Sequence, residues 1–191
     1  VIGIILFTIL FLRDPRRKKL ISSEQYYSLL SRAIIMGFIG GRILYMATSG
    51  DYKPFWHIFV FWEGGYSLLG GILALIAFIP WQLKALHIPI LPLVDVVSVY
   101  APLLQAVSRI GCFFAGCCYG LPTSGTWGIL PECDHSQYLH PTQLYSAALL
   151  FCIFLFLYFL GNRIFKKTGQ ITCVYLILMS AERFFVDFWR G

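Results

Sequence analysis

The sequence has 191 residues, of which 58% are hydrophobic and only 13% are charged, and its mean hydropathy is +0.73. Soluble domains carry about 45–50% apolar and about 25% charged residues, so this composition excludes a sizeable soluble domain and indicates an integral membrane protein. The formal net charge of +6 arises from short basic clusters between apolar runs. That arrangement is typical of membrane topology and not of a basic nucleic-acid-binding face, so we expect no nucleic-acid partner.

Six apolar segments follow one another along the chain. A helix that spans the membrane needs about 20 mostly apolar residues. The first segment, 1–12, is short and is expected to be the end of a longer helix, because the sequence does not begin with methionine. The other segments are about 29–46, 66–81, 90–106, 141–160 and 170–189. We therefore predict an all-α, polytopic membrane protein. It would form one transmembrane domain over residues 1–191, with six helices around a lipid-accessible cavity and a seventh in the full-length protein.

Basic residues flank these segments unevenly. A cluster occupies residues 13–19, Lys84 follows the third segment, and Arg163, Lys166 and Lys167 follow the fifth. Positive loops mark the cytoplasmic side of a membrane. We therefore expect a multi-pass protein of the bacterial cytoplasmic (inner) membrane. Its long connection, 107–141, would face the periplasm or the exterior.

Several ionisable residues lie inside the apolar segments or at their ends, where each costs about 2.5–3.5 kcal/mol on insertion scales and usually faces a cavity. They are Arg42, Asp95, Arg109, Glu182, Arg183, Asp187 and Arg190. Arg183, Asp187 and Arg190 recur at i, i+4 and i+7 and so share one helix face, which is consistent with a neutralising salt-bridge stripe. However, two aspartates cannot neutralise four arginines. The excess favours an external anion such as phosphate, which guanidinium groups bind in a bidentate manner.

Glycine-rich stretches accompany these charges: “GGR” at 40–42, “GGYSLLGG” at 64–71 and “RIGCFFAGCCYG” at 109–120. Glycine lets a backbone approach another backbone or a ligand closely. Two interpretations therefore remain open, namely packing of small residues between helices and admission of a lipid to a site.

Taken in order, these stretches resemble the prolipoprotein diacylglyceryl transferase family. The matching motifs are “GGRILY” (40–45), “GGYSLLGG” (64–71), Asp95 before “SRIGCFFAG” (108–116), “HPTQLY” (140–145) and “ERFFVDFWR” (182–190). The resemblance implies a transferase that moves the diacylglyceryl group of phosphatidylglycerol onto the lipobox cysteine thiol of a preprolipoprotein, releasing glycerol phosphate. Its partners would be phosphatidylglycerol, the preprolipoprotein signal peptide and the lipid bilayer. No metal or organic cofactor is implied.

The resemblance also assigns site residues. The essential arginines of the family's “RIG” and last “RF” motifs match Arg109 and Arg183 here. Fixed cations in a water-poor pocket stabilise the charge that grows on a departing phosphate and favour the thiolate form of a cysteine. Asp187 falls where the family has an acidic residue and is expected to orient Arg183, and Arg190 falls where it has a further arginine. The remaining substrate-binding candidates are Arg42, Gly70, Gly71, Gly111, Gly116, Gln143 and Tyr145.

The sequence departs from the family's pattern at several positions. Leu69 stands where the family typically has a histidine, and Cys112 and Cys117 stand where its “RIG” motif has asparagine and glutamate. The identity of the base that activates the thiol is therefore open. His140 is the catalytic candidate, although a histidine before a proline at a helix start is also a capping residue. Further candidates for the base are Glu63 and Tyr66.

The cysteines allow an alternative function. A C-x4-C-C-x14-C-x-H-x4-H series is formed by Cys112, Cys117, Cys118, Cys133, His135 and His140. This spacing matches no strong zinc signature. Apolar packing of Cys112, a disulfide from Cys133 to Cys117 or Cys118, and a metal or redox site all remain open, and Cys152 and Cys173 are predicted to be buried apolar residues. The alternative to the transferase is a non-catalytic phospholipid-binding or thiol-redox membrane protein on the same scaffold.

Overall fold

The computed structural model describes residues 2–49, 64–123, 125, 128–130 and 137–190. Within these ranges the chain is helical apart from turns and two isolated antiparallel bridges, Pro122 with Leu139 and Ile129 with Leu139. The elements in chain order are α1 (Ile2–Arg13), α2 (Pro15–Lys18), α3 (Ser23–Thr48), α4 (Leu68–Ala85), α5 (Ile90–Phe114), α6 (Thr142–Phe156), a π-helical turn (Leu157–Gly161), α7 (Asn162–Ile164) and α8 (Gln170–Asp187). The predicted all-α class is confirmed.

Each predicted apolar segment corresponds to a helix in the expected order. Among the described residues, four helices qualify as membrane spans by length and composition: α3, α4, α5, and α6 together with its π-helical turn. Helix α1 is a shorter apolar helix, and α8, with 18 residues, is not among the four. The helices are those of a polytopic membrane protein, although fewer of them than predicted reach the length and hydropathy of a full crossing.

Helix α5 is longer than predicted. Arg109 and Cys112, which we expected in the connection after the fourth segment, lie instead in its last turns. The helix ends where Gly116 adopts a φ of +65°. The Gly116 N–H donates to the carbonyl of Phe113 at 3.1 Å, and the Cys117 N–H donates to that of Cys112 at 3.2 Å. These two hydrogen bonds form a Schellman cap, for which glycine is the preferred residue.

The chain forms two compact units, one of Val1–Arg17 with Leu91–Gly191 and the other of Lys18–Ile90. Helices α1, α5, α6 and α8 belong to the first unit, and α3 and α4 belong to the second. The single transmembrane domain over residues 1–191 stays a prediction, as does the side of the membrane that each connection faces.

In the second unit, α3 and α4 approach each other through glycine. A Cβ atom at Gly40 would lie 2.8 Å from the carbonyl oxygen of Gly70 and would overlap Ala74. A Cβ atom at Gly70 would overlap the carbonyl oxygen of Gly40 in turn and would lie 2.6 Å from Leu44 Cβ. Only glycine permits such an approach of two backbones. For Gly70, the structure therefore favours helix packing over admission of a lipid.

In the first unit, Asp95 of α5 holds the start of α8. Its carboxylate accepts hydrogen bonds from the Gly169 N–H, from the Thr172 N–H at 2.9 Å and from the Thr172 hydroxyl at 2.6 Å. A carboxylate at a helix N-terminus satisfies unpaired N–H groups and interacts favourably with the helix dipole. Asp95 therefore joins α5 to α8 at a point about 20 Å along the helix from Arg183.

A half-buried ion pair lies at the junction of α1 and α2 in the same unit. Asp14, 4% exposed, accepts a hydrogen bond from the Tyr100 hydroxyl at 2.7 Å and pairs with the Arg16 guanidinium at 2.6 Å. Burial raises the pKa of Asp14, but the hydrogen bonds from Arg16 and Tyr100 outweigh burial and hold that pKa below its ordinary value. A cavity of about 730 Å³ at this junction is lined in part by Arg13, Arg16 and Arg163. The basic residues that follow the first and fifth predicted segments thus lie at one end of the unit.

Candidate active site

Three arginines line one cavity in the first unit. Arg109 belongs to the last turns of α5, Arg183 belongs to α8, and Arg190 follows the end of α8. The cavity is small, about 10 Å³, which is room for about one water molecule. Its other lining residues are Cys118, Thr142, Gln143, Ser146 and Val186. The structure therefore brings together three of the four arginines that the sequence singled out.

The positive charge of this cavity is not neutralised by a described carboxylate. Among the residues that the structure describes, none of the three arginines lies within 4.0 Å of a carboxylate oxygen. Asp187 is exposed and makes no ion pair with Arg183, one turn away on the same helix, so its orienting role stays a prediction. The carboxyl group of Glu182, 3% exposed, accepts a hydrogen bond from Ser146. Guanidinium groups that share one cavity without a carboxylate partner attract an anion.

The start of α6 supplies the polar wall of the cavity. Thr142, Gln143 and Ser146 are 2%, 1% and 1% exposed. The Thr142 hydroxyl donates to the carbonyl of Cys118 at 2.9 Å, and the Gln143 side-chain amide donates to the carbonyl of Cys117 at 2.6 Å. Gln143 Oε1 is buried and has no hydrogen-bond partner among the described residues. Gln143, a predicted substrate-binding residue, therefore offers a buried acceptor in the lining of the arginine cavity.

His140 and Tyr145 are not among the residues that line this cavity. His140 Nδ1 lies 3.2 Å from the Tyr145 hydroxyl, and the Tyr145 ring packs edge-on against Trp189 with their centroids 6.3 Å apart. Helix α6 begins without a side-chain cap, so His140 does not act as the capping residue that the sequence left open. Its side chain is oriented by Tyr145 instead, and its catalytic role stays a prediction.

The predicted glycines fall into two groups. A Cβ atom at Gly111 or Gly116 would meet no described heavy atom within 4 Å, whereas one at Gly71 would lie 3.1 Å from the carbonyl oxygen of Gly37. Gly111 also lines a cavity of about 850 Å³ between α1 and α5, whose lining is mainly apolar. Open space for a ligand is therefore present at Gly111. Gly116 is required as the cap of α5, and Gly71 lies against α3.

Arg42, the fourth arginine, belongs to the second unit and is 1% exposed. Its guanidinium donates hydrogen bonds to the carbonyl oxygens of Gly64 and Gly65. It also lies 5.8 and 5.7 Å from the ring centroids of Tyr45 and Tyr66, within the range of cation–π attraction. Arg42 thus organises the segment before α4, and its predicted role as a helper in phosphate binding stays a prediction.

The other candidates for the thiol base lie at or near the start of α4. Leu69, where the resemblance implies a histidine, is 59% exposed in the first turn of that helix. Tyr66 packs edge-on against Phe38 with their centroids 5.7 Å apart. Glu63 lies outside the described residues. No base is therefore assigned by these positions.

Three thiols converge after α5. The Sγ atoms of Cys112, Cys117 and Cys118 all lie within 4.8 Å of one another. Cys117 and Cys118 are exposed and Cys112 is half-buried, so the packing interpretation holds only in part for Cys112. A hydrogen bond with Cys118 is the main cause that raises the pKa of the Cys117 thiol. These thiols form a cluster whose chemistry the transferase assignment does not use.

The remaining cysteines give a mixed outcome. Cys152 and Cys173 were predicted to be buried, and this is wrong, because both are exposed on the surfaces of α6 and α8. Cys133 and His135 lie outside the described residues, so a disulfide to Cys133 stays a prediction.

The sequence analysis did not identify four lining residues of the cavity, namely Cys118, Thr142, Ser146 and Val186. A signal for two of them is present, since Thr142 and Ser146 are polar residues four positions apart in a mostly apolar segment and so share a helix face. Polar residues in such a segment usually face a bundle interior or a cavity. No comparable signal points to Cys118, because its position depends on the turn that ends α5.

Comparisons with known proteins show the family of the chain. The family model of prolipoprotein diacylglyceryl transferase matches residues 1–191. The chain is 32% identical over 203 residues to phosphatidylglycerol–prolipoprotein diacylglyceryl transferase 2 of Clostridium perfringens, covering 100% of this chain and 76% of the relative. It is 29% identical over 194 residues to the transferase of Clostridium tetani, covering 98% and 77%. It is also 32% identical over 201 residues to that of Wolbachia pipientis from Culex pipiens, covering 100% and 74%. The chain therefore belongs to the prolipoprotein diacylglyceryl transferase family.

Proposed function

We propose that the chain transfers the diacylglyceryl group of phosphatidylglycerol to the lipobox cysteine of a preprolipoprotein and releases glycerol phosphate. The names of the curated relatives state the donor, the acceptor and the group that those proteins transfer. The observation that carries the proposal for this chain is the cavity that Arg109, Arg183 and Arg190 line without a carboxylate partner among the described residues.

The chemistry explains why such a cavity is useful. The thiol sulfur forms a bond to the third glycerol carbon of the diacylglyceryl group, and the bond from that carbon to the phosphate ester oxygen breaks. The bonding electrons leave with the oxygen, so the phosphodiester monoanion becomes a phosphomonoester with a second negative charge, and the thiol proton passes to a base. Preorganised cations stabilise this developing charge without reorganising during the reaction.

In this proposal Arg109 and Arg183 bind the phosphate oxygens and Arg190 adds positive charge. Guanidinium forks suit this task because each offers two parallel N–H donors to two oxygens. The cavity of about 10 Å³ is smaller than a phosphate group, so binding requires the arginine side chains to move apart. Arg183 is exposed and Arg109 is only half-buried, which leaves both side chains room to rotate.

The acyl chains of the donor require an apolar groove near the phosphate site. The cavity of about 850 Å³ between α1 and α5 is lined by Ile110, Gly111 and Phe114 on the α5 side. Arg109, adjacent to Ile110 in the chain, lines the arginine cavity. The last turns of α5 therefore border both cavities, and we assign the larger one to the acyl chains.

The thiol proton needs an acceptor, and His140 is the proposed base. In the tautomer in which Nδ1–H donates to the Tyr145 hydroxyl oxygen, Nε2 carries no hydrogen and is the atom that accepts the proton. Tyr145 would then be a positioning residue that fixes the imidazole ring against α6. Gln143 would orient the donor through its buried Oε1.

We further propose that the protein resides in the bacterial cytoplasmic membrane. The end of the first unit with Arg13, Arg16 and Arg163 would lie in the cytoplasm, following the positive-inside rule. Tyr100, at that end, and Arg109 are separated by about 14 Å along α5, which would place the arginine cavity towards the periplasmic or exterior side.

Incubation of purified full-length protein with labelled phosphatidylglycerol and a lipobox peptide tests the proposal. We expect wild type to label the peptide, and the label to disappear in Arg109→Ala and Arg183→Ala. The matched control is Arg32→Ala, which removes an exposed arginine that binds Gln82 between α3 and α4 and is expected to retain activity.

Two outcomes contradict the proposal. Equal labelling by wild type and both alanine variants would remove these arginines from the mechanism. Tight binding of phosphatidylglycerol without any peptide labelling by wild type would instead favour a non-catalytic lipid-binding protein.

A further inference from the structure

The thiol cluster after α5 is a separate feature that the transferase chemistry leaves unused. Cys112 lies in the last turns of the helix, and Cys117 and Cys118 follow its cap. All three Sγ atoms lie within 4.8 Å of one another, and those of Cys117 and Cys118 are 3.6 Å apart. Three ligand atoms of one chemical type thus surround a single point.

Two residues with a positive φ angle hold the thiols in this arrangement. Gly116 has a φ of +65° and Cys118 a φ of +68°. Glycine adopts this conformation without strain, whereas a residue with a Cβ atom rarely adopts it. The turn nevertheless directs Cys117 and Cys118 back towards Cys112. Such strained residues persist only where the surrounding structure determines them.

We propose that Cys112, Cys117 and Cys118 form a site for a soft d¹⁰ metal ion such as Zn²⁺ or Cu⁺. A metal–sulfur bond of about 2.3 Å requires sulfur atoms about 3.8–4.0 Å apart in tetrahedral or trigonal geometry. The observed separations reach this range with small side-chain rotations. Each thiol that binds the ion gives its proton to solvent, so three sulfur–metal bonds replace three S–H bonds.

The surroundings suit this ligand set. Cys117 and Cys118 are exposed, so an ion reaches them without unfolding of the chain. Three thiolates with Zn²⁺ carry one net negative charge, and Cys118 shares the lining of a cavity with Arg109, Arg183 and Arg190. The arginines therefore compensate the charge of the complex.

Metal binding would rigidify the wall of the arginine cavity. The carbonyl of Cys117 accepts a hydrogen bond from Gln143, and that of Cys118 accepts one from Thr142. An ion held by the side chains of the same turn would fix these carbonyls and thereby the start of α6. The site depends on the turn geometry alone and does not require the transferase activity.

Titration of the reduced, purified full-length protein with Cd²⁺ tests the proposal, because cadmium–thiolate bonds absorb in the ultraviolet. We expect one equivalent of bound metal by elemental analysis, and loss of the absorption in Cys112→Ser, Cys117→Ser and Cys118→Ser. The matched controls are Cys152→Ser and Cys173→Ser, which remove exposed thiols on α6 and α8 and are expected to bind the ion as wild type does. Circular dichroism establishes that each variant is folded.

The proposal is overturned if the three serine variants bind Cd²⁺ as well as wild type, or if only the control variants lose binding. It is also overturned if peptide mapping of the freshly isolated protein, alkylated without reductant, finds two of the three thiols joined in a disulfide. Because these readouts are independent of lipid transfer, a failure here does not affect the proposed function.

Discussion

Arg109 and Arg183 line the same cavity, although one lies near the end of α5 and the other on α8. Asp95 joins these two helices at the start of α8, and the uncompensated arginines lie towards its other end. A phosphate bound between the guanidinium groups would bridge the helices a second time. Binding of a phosphate by Arg109 and Arg183 would therefore stabilise the packing of α5 with α8.

Replacement of either arginine by lysine distinguishes the effect of the positive charge from that of the bidentate guanidinium geometry. We expect Arg109→Ala and Arg183→Ala each to lower kcat by about 10²–10³-fold, the range for losing one donor to a developing oxyanion. Arg109→Lys and Arg183→Lys should retain part of the activity, because lysine keeps the positive charge but not the two-pronged donor. Steady-state transfer to a lipobox peptide measures whether activity falls from wild type to the lysine variants and further to the alanine variants. Full activity in both lysine variants would show that charge alone is sufficient.

The hydrogen bond between Ser146 and Glu182 should contribute to stability. Ser146 is 1% exposed and Glu182 is 3% exposed, so Ser146→Ala leaves a buried carboxyl group without this donor. We expect a loss of about 1–3 kcal/mol in the free energy of unfolding. Thermal unfolding of the detergent-solubilised protein measures the loss. The matched control is Ser180→Ala, since Ser180 is exposed on α8 and its hydroxyl donates to a carbonyl of its own helix.

Packing of α3 on α4 should tolerate a methyl group at Gly37 but not at Gly40. A Cβ atom at Gly37 would lie 3.7 Å from Leu75, which is ordinary contact, whereas one at Gly40 would overlap Ala74. Alanine favours a helix over glycine by about 1 kcal/mol, so Gly37→Ala should be neutral or stabilising. We expect Gly40→Ala to lower the unfolding temperature. Equal unfolding temperatures for the two variants would contradict the observed approach of the helices.

The ion pair of Asp14 should make stability depend on pH. Because the pKa of Asp14 is lowered on folding, its contribution is complete above the ordinary value of 3.8 and is lost as pH falls below that value towards the folded-state pKa. Asp14→Asn should remove this part of the acid-induced loss of stability. Unfolding free energies of wild type and variant across acidic pH measure the difference. Glu24→Gln, which changes an exposed carboxyl group in the first turn of α3, should leave the loss in place.

Hydropathy was sufficient to predict the order of the apolar helices, because apolar length is what a bilayer selects. It did not predict the number of spans, since only four helices among the described residues have the length and hydropathy of a full crossing, against six predicted. The end of α5 was not predicted, since Gly111 and Gly116 look alike in sequence and only Gly116 adopts a positive φ. The exposure of Cys152 and Cys173 was also missed. A membrane helix can be apolar on all faces, so its composition does not distinguish a lipid-facing residue from a buried one.

The arginine cavity was predicted in part. Charge counting and motif resemblance were enough to single out Arg109, Arg183 and Arg190, because ionisable groups in apolar segments are few. Arg42 satisfied the same criterion, yet its guanidinium is bound by the carbonyl oxygens of Gly64 and Gly65. Backbone acceptors of this kind depend on the tertiary fold and cannot be predicted from residue types.

The joint between α6 and the turn after α5 has a consequence for how this chain can diverge. Gln143 and Thr142 bind the main-chain carbonyls of Cys117 and Cys118 and make no demand on their side chains. The residue type at 117 is therefore not constrained by this joint, whereas the positive φ of Cys118 restricts the residue type at 118. A cysteine at 117, where the resemblance implies a glutamate, can thus contribute a thiol without changing the hydrogen bond that joins this turn to α6.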